Sequence, residues 1–219
     1  DANGNYRFNN LPAGTYTVTL TPPLGSTLTT PGQLSFNLAS GQIVENADFG
    51  LQGVSGAGLR LVKRITNATR NNIPVTGLNF GQFVDDPADV NDNAPGWTQN
   101  NFPPVGAINI APPVQVRSGD ELTYTVYFLS DGPGLARNVR VCDLVPPGTT
   151  FVAGSTQIQR LNNAPVAGGA VFSPLAPLPP GNPCADQNNP NGAVIFDLGD
   201  IPNTTGANFG FVRFRVRVN

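Results

Sequence analysis

Six oxygen-bearing side chains crowd into nine residues of the segment VDDPADVNDNAPGW: Asp85, Asp86, Asp89, Asn91, Asp92 and Asn93. Calcium takes six to eight oxygen ligands, so this spacing makes the six residues candidate calcium ligands. The same residue types also close turns through their own backbone without any metal, and a plain structured loop stays open as the other reading. The second feature with chemistry is a pair of cysteines, Cys142 in the strand-like NVRVCDLV and Cys184 in the Pro- and Asn-rich PPGNPCADQNNP. A disulfide is the preferred reading over two unrelated thiols, and closing a loop of this length contributes roughly 4 kcal/mol. Zinc is not expected, because the chain has no histidine and two cysteines alone rarely hold it.

Catalysis has little to work with. The chain lacks histidine, a Gly-rich phosphate loop, a nucleophile elbow and paired acids in a recognisable frame, so no catalytic residue and no cofactor is assigned and an enzyme is not expected. Trp97, Phe102 and the tyrosines are candidates for lining a surface that meets a glycan or a protein ligand; the alternative is a Trp covering one end of a sandwich. Asn67 (NAT) and Asn203 (NTT) match a glycan acceptor pattern that is common by chance. The single lysine, Lys63, is read as a charged strand residue facing solvent.

The elements that must carry these residues are short strands. The 219 residues include 25 glycines and 22 prolines, too many turn formers for long helices. Charged residues make up 12% and the net charge is −2, which leaves no basic field for nucleic acid. No apolar run approaches the roughly 18 to 20 residues of a membrane span. The low charge and the cysteine pair suggest an extracellular protein. No methionine occurs, so Asp1 is not expected to be a translational start.

Along the chain, Tyr6 and Phe8 alternate, then Tyr16, Val18 and Leu20, then Leu34, Phe36 and Leu38, and Ile43 to Leu51 reads as a further strand. Residues 53–58, GVSGAG, form the expected linker. Leu59 and Leu61 open a new strand, and residues 71–113 form a long insertion, functional or capping. Extended runs follow at Leu122 to Phe128, Val139 to Val141, Phe151 to Leu161 and Val194 to Leu198. The last run sets Val212, Phe214, Val216 and Val218 against Arg213, Arg215 and Arg217. Turn signals at such intervals are what a sandwich produces.

Two stretches carry a resemblance. DANGNYRFNNLPAGTYTVTL with NADFGLQ resembles the second half of the B-type repeat of Gram-positive collagen and serine-aspartate adhesins, a prealbumin-like sandwich. SGDELTYTVYFLSDGPGLARNVRVCDLVPPGTTFVAGS, with FDLGDIP and FVRFRVRV, resembles an immunoglobulin-like surface-repeat domain of bacterial and archaeal envelope proteins. The resemblance implies an all-β chain: a partial prealbumin-like β-domain over residues 1–52, then an Ig-like β-sandwich over residues 59–219. It implies stalks, adhesins, sheaths or filaments. The expected function is a subunit of an extracellular surface filament or sheath that pairs with its own copies by strand addition, its incomplete first domain as acceptor. The expected donor is the last strand, through Phe209, Phe211, Val212, Phe214, Val216 and Val218. The alternative is a spacer or ligand-binding module of a long monomeric adhesin.

Overall fold

The computed structural model describes residues 4–22, 26–53, 56–110 and 114–219. Residues 1–3 of the first quoted stretch, residues 54 and 55 of the expected linker and the end of the insertion at 111–113 lie outside these. The chain divides into two compact units, Asp1–Ser55 and Gly56–Asn219, and it is all-β apart from one short helix among the described residues.

In the first unit, β1 (Gly14–Thr19) pairs antiparallel with β3 (Gln33–Leu38), and β2 (Ser26–Leu28) with β4 (Leu51–Gly53). The β1–β3 register places Tyr16 opposite Phe36 and Val18 opposite Leu34 on one face, with Thr15 opposite Asn37 and Thr17 opposite Ser35 on the other. Two expected strands are not there: residues 5–9 and 42–50 form no strand, and the two segments meet instead through side chains, Tyr6 packing on Phe8 and on Phe49.

The second unit is a sandwich. Its larger sheet runs β11 (Val166–Ala167), β10 (Gln157–Arg160), β14 (Phe209–Val218), β7 (Glu121–Ser130), β5 (Leu59–Arg70) and β6 (Ile73–Pro74), with β9 (Thr149–Phe151) also on β14. The smaller sheet is β12 (Ala170–Phe172), β13 (Ala193–Ile201) and β8 (Ala136–Leu144). The run expected from Phe151 to Leu161 is broken into β9 and β10 around Gly154, which sits at φ +71°. Helix α1 (Pro95–Gln99) lies in the insertion.

The inner faces of the two sheets make one core. Phe128, Val126, Val212, Phe214 and Val216 come from the larger sheet, and Val139, Val141, Val194, Phe196 and Leu198 from the smaller. Strict alternation along β14 sends Val212, Phe214 and Val216 inward and Phe209 and Phe211 outward. Gly210 has to be glycine, since a Cβ there would collide with the Gln159 carbonyl and the Phe128 ring. β14 is therefore not a free strand. It pairs with β7 from Phe209 to Arg217 on one edge, and with β10 and β9 on the other. Phe209, Phe211, Val212, Phe214, Val216 and Val218, expected as a donor, are the middle of their own sheet.

Candidate functional site

Each outer face of the sandwich is covered in part by the chain's own loops, and each cover is fixed by one strong link. Over the larger sheet, Ala94, Trp97, Phe102 and Val105 of the insertion pack on Val62, Tyr127, Leu129, Phe209 and Phe211. Phe102 reaches the rings of Tyr127, Phe209 and Phe211 at centroid distances of 5.9, 4.7 and 6.5 Å. Trp97, 2% exposed, donates its indole N–H to the Asn91 carbonyl at 2.7 Å. The Tyr127 hydroxyl donates to the Val105 carbonyl at 3.1 Å, and burial pushes its pKa up to about 12. Trp97 is a core residue of this cover, closed to any outside ligand.

The acidic loop supplies the link. Arg64 on β5 and Asp92 form an ion pair at 2.6 Å, with side chains 2% and 0% exposed. Asp92 Oδ2 also accepts from the Asp86 backbone N–H at 2.8 Å. The remaining candidate calcium ligands bond within the loop. Asp85 accepts from the Asn93 amide at 2.6 Å, Asp86 from the Ala88 N–H, and Asp89 from both the N–H and the side-chain amide of Asn91. No group of three or more metal-binding His, Cys, Asp or Glu side chains gathers among the described residues. In this arrangement the loop's carboxylates serve turns and one buried arginine. The role of Arg64 could be found only through its partner, since an Arg in an alternating strand reads as solvent-facing.

Over the smaller sheet the link is covalent. Cys142 of β8 and Cys184 of the Pro-rich loop are joined in a disulfide, within a small cluster that includes Ala193, Ile195, Leu144, Phe172 and Leu178. Arg140 donates to the Gly181 carbonyl at 2.7 Å, and Asn189 to the Ser173 carbonyl at 2.9 Å.

Lys63 is exposed, as expected of a solvent-facing strand residue, but it also has partners at the side of the sandwich, its amine lying 2.5 Å from Asp143 of β8 and 4.7 Å from the centre of the Tyr124 ring. The link joins the two sheets. Asp143 is buried, and its Oδ2 has no hydrogen-bond partner among the described residues. Burial raises the Asp143 carboxyl above the ordinary carboxylate range against the opposing pull of Lys63. Desolvation wins because the lysine side chain is 41% exposed.

The first unit contrasts with all of this. None of its described side chains is buried. Tyr16, Val18, Leu34, Phe36 and Leu38 form an apolar row that is only half-buried, while Phe8 and Ile43 are 63% and 78% exposed. β1 and β3 form a two-stranded sheet, so among the described residues each keeps one unpaired edge.

No protein-family model matches the chain, and no curated protein matches it in sequence. Among solved structures, the full-length RrgB pilus protein from Streptococcus pneumoniae is similar at a TM-score of 0.38 and 12% identity. The match covers 96% of this chain and 29% of that one, so the chain spans less than a third of its length.

Two outcomes follow from these links. Trp97 is the only tryptophan, so its emission reports the cover directly: it should be blue-shifted and shielded from acrylamide. Asp92→Ala strands a buried arginine, which should cost about 3–5 kcal/mol, red-shift the emission and open it to the quencher. For Asp143, a folded pKa above the unfolded one means that stability is fullest at low pH and falls as pH rises through the folded value. Asp143→Asn should therefore unfold like the wild type near pH 3 and match or exceed it near pH 8, measured by urea denaturation. Lys63→Ala should be weaker than the wild type at the higher pH only.

Proposed function

We propose that the chain is a non-catalytic structural module of an extracellular surface assembly, and that its first unit joins copies by accepting a strand. The observation that carries this reading is the absence of any buried side chain among the described residues of the first unit, beside an apolar row and two open strand edges. Two paired strands are marginal in water by themselves, and cross-strand pairs such as Tyr16 with Phe36 contribute only about 0.2–1 kcal/mol each. An added strand would pair an open edge through its backbone and set alternate side chains against the row. Thr15, Thr17, Ser35 and Asn37 on the opposite face suit water.

The donor in this reading is a segment other than β14. Both edges of β14 are paired, and withdrawing it would dissolve the core it fills. The disulfide and the scarcity of charge support an extracellular setting. No helix among the described residues is long and apolar enough to cross a membrane.

The test uses the full chain in analytical ultracentrifugation and negative-stain microscopy over a rising concentration series. The wild type should associate into regular oligomers or filaments. Phe36→Lys puts a charge in the apolar row, and it should stay monomeric while Trp97 emission is unchanged, marking an intact second unit. A wild type that remains monomeric throughout, or a Phe36→Lys variant that assembles equally well, removes strand-mediated assembly and leaves a spacer within a monomeric stalk.

A further inference from the structure

The outer face of the larger sheet is divided in two. Its apolar half, from Val62 to Phe211, lies under the insertion. Its polar half stays open as a groove of about 460 Å³, lined by Thr66, Asn67, Thr123, Gln157, Arg213 and Arg215. The division follows from β14, whose outward row changes from Phe209 and Phe211 to Arg213, Arg215 and Arg217. The Ser155 hydroxyl, also in the groove, accepts from the Arg215 backbone N–H at 2.9 Å and so anchors the wall that carries Gln157.

The charges in this groove do not balance. Arg215 is answered by Glu121 at 2.8 Å, and Arg217 by the other oxygen of the same carboxylate. Arg213 has no such answer. Among the described residues no carboxylate stands within ion-pairing distance of it, and the lining contains no acidic side chain. Its guanidinium is held in place instead. Nε donates to Gln157 Oε1 at 2.6 Å, and the group lies over the Phe211 ring at 5.0 Å. Partial burial pulls its pKa below the usual arginine value, against a weaker opposing pull from Tyr127. A fixed cation with unspent donors fits an anion of planar, forked shape. The other lining groups are hydroxyls and amides, which both donate and accept and suit a ligand rich in hydroxyls.

We infer that this groove binds an acidic saccharide, with a sugar carboxylate on Arg213 and ring hydroxyls on Thr66, Asn67, Thr123 and Gln157. The site is independent of strand addition, which concerns the first unit. It is shallow and offers no exposed aromatic face for stacking, so a single site binds weakly, and repeated copies along an assembly would gain by avidity.

The probe is a short galacturonate oligomer, titrated into the full chain by calorimetry and followed by amide NMR shifts, with the matching neutral galactose oligomer as control. The acidic oligomer should bind saturably and at least about tenfold more tightly than the neutral one, the size of effect expected of one charge-assisted contact. Its shifts should cluster on β5, β7 and β14 beside the groove. Arg213→Gln should abolish that preference. Asn67→Asp, an exposed substitution that sets a like charge beside the ligand, should weaken binding independently if Arg213→Gln perturbs the fold. Equal affinity for the two oligomers, no binding of the acidic one, or binding untouched by both variants overturns the assignment.

Discussion

The pairing of β7 with β14 is the constraint on which the rest of the molecule depends. Nine consecutive residues of β14, Phe209 to Arg217, are in register with Leu129 to Glu121. Because side chains alternate along a strand, that one register sets what lies on both faces. Inward it places Val212, Phe214 and Val216 against the smaller sheet. Outward it places Phe209 and Phe211 beneath the insertion and leaves Arg213 and Arg215 in an open groove. A slip of one residue would put arginines in the core and valines in water.

The two outer covers answer one problem by different chemistry. A sheet that is apolar on both faces needs covering on both, and here long irregular segments supply the cover in place of helices. Such segments lose much conformational freedom on folding, so each needs a firm attachment. The insertion has the Arg64–Asp92 pair together with the Trp97 and Phe102 rings. The Pro-rich loop has the Cys142–Cys184 disulfide. A buried ion pair is costly to desolvate and is costlier still to break on one side, so it holds the loop in one arrangement more than it adds stability. At the side of the sandwich, Lys63 and Asp143 link the two sheets under a similar balance.

The all-β fold was legible wherever alternation was strong. β1, β3, β7 and β14 lie where the period-two runs of Tyr16 to Val18, Leu34 to Leu38, Leu122 to Phe128 and Val212 to Val218 place them. Alternation misleads where a chain has no neighbour to pair with. Tyr6 and Phe8 alternate as a strand would, yet they meet the irregular residues 42–50 through the Tyr6–Phe49 ring contact and not through a backbone ladder. The partners of the chemically distinctive residues were not legible, because they lie far away in sequence. Asp92 is 28 residues from Arg64 and Asp143 is 80 from Lys63, so the sequence does not show that one carboxylate of the acidic cluster faces a buried arginine. The last strand looked free because its alternation is so regular. That regularity instead suits a strand with a different core on each side.

What separates the two units is burial. The second fills a core between its sheets and covers the apolar part of both outer faces with its own chain, whereas the first leaves an apolar row half-exposed and buries no described side chain. The account's central claim is that the first unit is completed from outside. Hydrogen exchange of the full chain, compared between dilute and associated protein, tests it most directly. The account predicts that in dilute solution the amides of β7 and β14 exchange slowest while those of β1 and β3 exchange almost freely. On association, β1 and β3 should become protected with little change elsewhere. Slow exchange of β1 and β3 already in the dilute monomer would contradict the account, because the first unit would then be stable without a partner.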